Sequence, residues 1–223
     1  LHRARQKGRI MEFDSKRFTI IDHPLVQHKL HLLRDENTST KQFRELVSEL
    51  AIFEGYEAMR DFPLEDVDVK TPLEVAHCKK ISGKKVAIIP ILRAGLGMVD
   101  GILQLTPSAR VGHVGMYRDP DTHEPHQYYC KFPEDIENRT CLVVDPMLAT
   151  GGSLTAAIHF LREAGVKDIR ALTLVSAPEG VKATLDFDKD VRLFTCALDR
   201  QLNEHAYILP GLGDAGDRIY GTK

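Results

Sequence analysis

The sequence predicts an α/β fold: a mostly parallel central sheet flanked by helices. Two observations predict it. Five short apolar runs have the length and texture of strands buried on both faces: VAIIPIL (86–92), ARVGHVGMY (109–117), TCLVVD (140–145), IRALTLVSA (169–177) and VRLFTCAL (191–198). Helical spacing of apolar residues falls between several of them, at about 96–105, 153–164 and 178–186. Strands alternating with helices need crossover connections, which make parallel neighbours. Ligands of such sheets bind at the carboxyl ends of the strands. The residues that follow each run therefore carry most of the functional information.

The chain opens with a basic stretch, LHRARQKGRI, ahead of Met11. A cloning remnant, a leader or a disordered arm would all read this way. Residues 1–22 are accordingly set apart as a basic extension, and 23–223 as a single domain. Asp22 is placed to cap a helix with Val26, Leu30 and Leu33 on one face. Ser39 with Gln42 resembles a capping box before the stripe Phe43, Leu46, Val47, Leu50 and Phe53. These helices pack beside the sheet or form part of a dimer contact. Residues 64–76 look extended, with Val67 and Val69 alternating with acids. After Ser82-Gly83 the buried strands begin.

Composition excludes several classes. A chain of 223 residues suits one domain, or one domain with a small appendage, and buries roughly 70% of its unfolded surface without a staple. Hydrophobic content is 43% and charged content 28%, ordinary for a globular protein. A formal net charge of -2 argues against broad electrostatic binding of nucleic acid. Cys78, Cys130, Cys141 and Cys196 show no C-x-x-C pairing and read as reduced thiols of a cytoplasmic protein. No apolar run approaches the ~20 residues of a membrane helix, and no secretory signal is visible. Two glycosylation-like triplets, at Asn37 and Asn138, are chance matches in such a chain. The histidines His23, His28, His31, His123 and His126 have nothing to complete a metal-ligand set.

The sharpest motif spans 140–165. An apolar strand ends in Asp145, and Pro146 to Gly152 form a loop. A helix follows with Leu154, Ala157, Ile158 and Leu161 on one face, stopped by Gly165. Thr150, Gly151, Gly152 and Ser153 stand where that helix begins. Glycines admit close approach of a ligand, and the free N–H groups of a helix start face an anion. Asp145 can accept hydrogen bonds from ribose hydroxyls, so the pair of features suits a sugar phosphate. The plainer alternative is a strand-to-helix connector capped by Ser153. The pattern is neither G-x-x-x-x-G-K-[ST] nor G-x-G-x-x-G.

Two more segments reach the same sheet edge. PILRAGLGMVDG (90–101) presents Arg93 in a turn, with Gly95 and Gly97 expected to turn amides toward an anion. The next strand delivers Arg118 into 118–133, a loop or mobile hairpin rich in proline and polar residues and suited to a lid. Near the end, LNEHAYILPGLGDAGDRIYGTK (202–223) is glycine-rich and irregular. Such backbone can present N–H and C=O groups to a planar ligand, or can be a tail packed for stability.

DPMLATGGS resembles the phosphoribosyl diphosphate loop of the uracil phosphoribosyltransferases, and LRAGLG resembles their diphosphate loop. The similarity runs from about His23 to Lys223. Most relatives in the wider type I phosphoribosyltransferase group carry two adjacent acids where this chain, like the uracil enzymes, has Asp145-Pro146. The resemblance implies the type I fold with a terminal hood and a mobile hairpin lid. It implies transfer of phosphoribosyl to uracil, giving UMP and diphosphate in pyrimidine salvage. It assigns phosphoribosyl diphosphate to Arg93, Arg118, Asp145, Pro146, Met147, Leu148, Ala149, Thr150, Gly151, Gly152, Ser153 and Asp214. Uracil falls to Ile208, Gly213, Asp214 and Ala215, chiefly through their backbone, and the catalytic set is Arg93, Asp145 and Asp214.

The implied chemistry is displacement at the anomeric carbon, with positioning and stabilisation of the departing charge as the main requirements. Mg²⁺ would be carried by the substrate diphosphate, with no dedicated protein cage. Further implied partners are a GTP effector and a second copy of the chain, as a homodimer or larger homo-oligomer. An RNA-binding regulator of pyrimidine genes on the same kind of fold is the alternative from another class. It should show a basic face, whereas the body of this chain is near neutral, and adjacent acids in the phosphate loop, where this chain has Asp145-Pro146. A purine-specific transferase is opposed by the 208–215 segment.

Overall fold

The fold is known from a computed structural model that describes residues 2–6, 9–83, 86–118 and 125–222, with backbone alone at 3–6, 9–10, 117–118 and 125–127. In chain order, β1 (His2–Gln6) and β2 (Arg9–Phe13) form an antiparallel pair, followed by β3 (Phe18–Ile20). Two helices, α1 (Pro24–Arg34) and α2 (Thr40–Ala58), precede a second antiparallel ribbon, β4 (Leu64–Lys70) with β5 (Val75–Ile81). Then come β6 (Val86–Leu92), α3 (Leu96–Leu105), β7 (Arg110–Val111), β8 (His113–Arg118) and β9 (Pro125–Lys131). A 3₁₀ turn at Ile136–Asn138 leads to β10 (Thr140–Val144), β11 (Met147–Leu148), α4 (Gly152–Glu163), β12 (Asp168–Ser176), α5 (Pro178–Phe187) and β13 (Arg192–Leu198). The chain closes with β14 (Gln201–Leu202), β15 (Ile208–Leu209) and α6 (Ala215–Tyr220).

The main sheet runs β3-β13-β12-β10-β6-β8-β9. Every pair along it is parallel except the last, β8 with β9. The expected mostly parallel sheet is therefore present. Alternation along its strands sorts the core into two layers. Val86, Ile88, Leu142, Val144, Leu172, Phe194 and Cys196 face α1, α2 and α3. Ala87, Ile89, Cys141, Val143, Ile169, Ala171 and Leu193 face α4 and α5. Both layers are buried, so the parallel strands read as unbroken apolar runs.

Three expectations need correction. The first helix is capped by His23, whose Nδ1 accepts from the Leu25 N–H at 3.2 Å, not by Asp22. Pro24 occupies the first helical position, which makes the residue before it the cap. Residues 18–20, expected in a basic extension, pair in parallel with β13, and Phe18 is fully buried. The packed body thus begins ahead of residue 23. The run 109–117 is two strands, β7 and β8, that meet β6 at different heights. The 64–76 stretch is extended as expected: it holds β4, the turn and the first two residues of β5. The 118–133 segment contributes β9, paired with β8, while residues 119–124, with His123, lie outside the described residues.

Candidate active site

The chain passes from β6 outward to β8 on one side, then returns to β10, β12 and β13 on the other. The direction of strand order reverses between β6 and β10. In parallel sheets that is where a crevice opens at the carboxyl edge. Register brings the two strands level, with Val144 beside Pro90. The turn after β6 and the loop after β10 therefore emerge side by side.

The loop after β10 is tied back to the sheet. Val175 N–H donates to Pro146 O at 3.0 Å, and Ala177 N–H to Leu148 O at 2.8 Å. Leu148 is 2% exposed and packs in the core. Pro146 is buried too. These two residues hold the loop to the sheet, and neither lines the cavity. Asp145 stands half-buried at the strand end, its Oδ1 accepting from Met147 N–H at 3.3 Å. Gly151, not Ser153, is the cap of α4. It sits at φ 91°, and no side chain caps the helix start. Ser153 instead lies within the first turn. The opening amides of α4 are therefore not covered by a cap of their own, the arrangement that suits an anion.

In the turn after β6 the Leu92–Arg93 peptide is cis. The expectation of free amides at Gly95 and Gly97 is not met. Gly95 N–H donates to Ile91 O at 2.9 Å and Gly97 N–H to Ala94 O at 3.1 Å. Tight turns spend their donors internally, which leaves the guanidinium of Arg93 as the outward group. It is 59% exposed, 3.9 Å from Asp217 Oδ1 and 5.8 Å from the Tyr220 ring centre. Burial raises the Tyr220 phenol above its ordinary value, with the Arg93 charge acting the other way. Arg118 closes β8 at this same edge; its side chain lies outside the described residues.

The C-terminal segment folds over the crevice. Asp214 caps α6, accepting from Asp217 N–H at 3.0 Å. Tyr220 Oη donates to Arg93 O at 2.9 Å, fastening α6 to the turn after β6. A cavity of about 400 Å³ results. It is lined by Ala94, by Asp145, Met147 and Ala149, and by Ile208, Gly213, Asp214, Ala215 and Gly216. Three distant segments thus meet in one hollow. Arg93 and Thr150 to Ser153 stand beside it rather than in its wall.

Sequence reasoning missed His205, Ala206 and Tyr207, which complete the wall, and Asp199, which supports it. Asp199 had a signal: like Asp145, it follows directly on an apolar strand at the carboxyl edge. Among the described residues no group of three or more His, Cys, Asp or Glu is set to hold a metal ion. Asp145 and Asp214 on one cavity still fit a divalent ion held mainly by substrate phosphates, which needs only one or two protein carboxylates.

The family model described as uracil phosphoribosyltransferase matches residues 20–222. A uracil phosphoribosyltransferase of Desulfitobacterium hafniense is 60% identical over 204 residues, covering 92% of this chain and 98% of its own. One from a Thermoanaerobacter species is 59% identical over 208 residues, 93% of this chain and 99% of its own. Among solved structures, the AQ2163 protein from Aquifex aeolicus superposes with a TM-score of 0.87 at 36% identity, covering 92% of this chain and 99% of that one.

Proposed function

The chain belongs to the uracil phosphoribosyltransferase family, and from that premise we propose how its residues join uracil to phosphoribosyl diphosphate. It is a pentosyltransferase whose products are UMP and diphosphate. The observation that carries the reading is the shared cavity. Asp145 and the loop leading to α4 form one wall, and the 208–216 backbone the other. A sugar phosphate and a flat base held on those two walls would meet at the anomeric carbon.

On this reading the start of α4, with Thr150, Gly151, Gly152 and Ser153, holds the 5′-phosphate through amides and hydroxyls. Asp145 accepts from the ribose hydroxyls. Arg93 and Arg118 grip the diphosphate, Arg's fork matching its oxygens. Backbone groups of Ile208, Gly213 and Ala215 read uracil, and Asp214 faces the phosphoribosyl side. Uracil offers acceptor, donor and acceptor along one edge. Cytosine would leave polar groups unpaired there, which discriminates strongly. Mg²⁺ bound to the substrate, with Asp145 and Asp214 the nearest carboxylates on the cavity, would offset charge on the leaving diphosphate.

The homodimer or larger oligomer is supported by the β4–β5 ribbon. It exposes Leu64, Val69, Leu73, Val75 and Ile81, more apolar surface than a free ribbon usually carries. GTP as an effector is proposed on family grounds, without assigned residues. The free thiols of Cys78, Cys130, Cys141 and Cys196 support a cytoplasmic setting, and no helix among the described residues is long and apolar enough to cross a membrane. No observation favours the RNA-binding alternative.

The test offers uracil, cytosine, hypoxanthine and orotate, each labelled, with phosphoribosyl diphosphate and Mg²⁺. Uracil should be converted at least about 10³-fold faster than the others, the range that unpaired polar groups can enforce. Comparable turnover of any other base would overturn the assignment of the 208–215 wall.

A further inference from the structure

The segment proposed to read uracil has little regular structure of its own. Its strand, β15, pairs with β14 over two residues, and the chain then turns away through Pro210 and Gly211. Backbone recognition demands that such a segment be held to a fraction of an ångström. Something outside it must do the holding.

That support converges on one residue. Asp199 follows β13, and its N–H donates to Ser176 O at 2.8 Å, so its backbone continues the sheet. Its side chain is only 6% exposed. Asp199 Oδ2 accepts from Gly211 N–H at 2.8 Å and from Arg34 Nη1 at 2.8 Å, while Oδ1 accepts from Arg34 Nη2 at 2.7 Å. Arg34 Nη1 also donates to Gly211 O at 2.7 Å. Both backbone polar groups of Gly211 are thus held by the two halves of one bidentate ion pair. Gly211 has φ 64°, and a Cβ there would fall 2.2 Å from Ile208 O. The Gly211 backbone therefore runs close against that of Ile208. One residue on, Leu212 O accepts from Arg218 Nη1 at 2.8 Å, and that guanidinium also reaches Leu33 O at 2.9 Å.

We infer that Asp199 and Arg34 are positioning residues for base recognition: by holding Gly211, their ion pair sets where the backbone of Ile208 and Gly213, on either side of it, presents its groups to the pyrimidine. The inference rests on the uracil reading of that segment. Charge-assisted, bidentate and largely dry bonds are directional enough for this task, whereas lone exposed pairs are not. Asp214 lies outside the clamp, fixed by its own bond to Asp217 N–H. The phosphoribosyl side should feel the clamp much less than the base side does.

The experiment compares the parent enzyme with Asp199→Asn and Arg34→Lys, using steady-state kinetics and amide exchange. Asp199→Asn should raise KM for uracil at least tenfold while KM for phosphoribosyl diphosphate moves less than threefold. A purely structural role would shift both constants together or lower the active fraction. Arg34→Lys, which keeps the charge but cannot bridge Asp199 and Gly211 O together, should raise the uracil KM in the same direction. In the parent without ligand, the Gly211 amide should exchange slowly; rapid exchange there overturns the inference even if neither variant folds. UMP should slow exchange across 208–215 of the parent. If it does not, the uracil reading itself fails. If it does, and a folded Asp199→Asn keeps the parent's uracil KM, only the clamp is refuted.

Discussion

Arg93 shows how a single side chain can be legible without its surroundings. Its position after a buried strand placed it at the carboxyl edge of the sheet, and it follows β6 there. The role of its neighbours was misread, because Gly95 and Gly97 spend their amides within the turn. On the proposed reading, the guanidinium is then the main group this turn offers a leaving anion. Truncation to alanine should lower kcat/KM by at least tenfold, since charge-assisted hydrogen bonds contribute about 1.5–3 kcal/mol. The side chain is more than half exposed, so the variant should melt close to the parent. Steady-state rates with both substrates check this, and parent-like turnover would remove Arg93 from the diphosphate site. Asp145 was legible for the same reason as Arg93. Arg34 was not: its partners lie 165 and 177 residues away, and no local pattern connects them.

At the scale of elements, strands and helices followed from periodicity, while their ends depended on single residues. Pro24 moved one cap by a position, and Gly151 moved another. The second shift has a functional consequence. Gly151 adopts a left-handed conformation that costs other residues about 1–3 kcal/mol. A Cβ there would also meet Gly180 O and Ala183 Cβ, each at 3.2 Å. Gly151→Ala should therefore reorient the first turn of α4. Its expected signature is a KM for phosphoribosyl diphosphate raised about fivefold or more, with a lower Tm, on the order of 2–4 °C per kcal/mol for a chain of this size. Kinetics and a melting curve measure both. A lower Tm with an unchanged KM would confine Gly151 to folding and take the 5′-phosphate away from this helix start.

Across the whole molecule, pH dependence reports how charge is buried. Asp168 joins Arg170, Arg192 and Thr140 at the amino end of the sheet; burial works against its ionised form, and the two guanidiniums outweigh it and hold its pKa low. That stability is present above the unfolded value and is lost in acid. Glu54 acts in the opposite sense. It is fully buried beneath the sheet, with Oε1 accepting from the Cys196 thiol at 3.5 Å and Oε2 without a hydrogen-bond partner among the described residues. Burial pushes its carboxyl well above the ordinary 4.5. The unfolded chain then releases a proton that the folded one keeps, so this group costs stability as pH rises from its unfolded value. Glu54→Gln stays neutral throughout. Its Tm should gain on the parent between about pH 4.5 and 7, and the gain should vanish in more acid solution. A Tm difference independent of pH would show that Glu54 is ionised in the fold.

The sequence by itself determined the layered α/β architecture and the residues that each strand delivers to the carboxyl edge of the sheet. Those features are local: an apolar run followed by Asp145 or Arg93 means the same thing wherever the strand ends up. Only the tertiary structure decided that Ile208 to Ala215 closes over Asp145, that Phe18 belongs to the sheet, and that Asp199 and Arg34 grip Gly211. Each of those depends on which distant strands become neighbours. Burial and paired hydrogen bonds across the assembled sheet settle that choice, and spacing along the chain does not encode it.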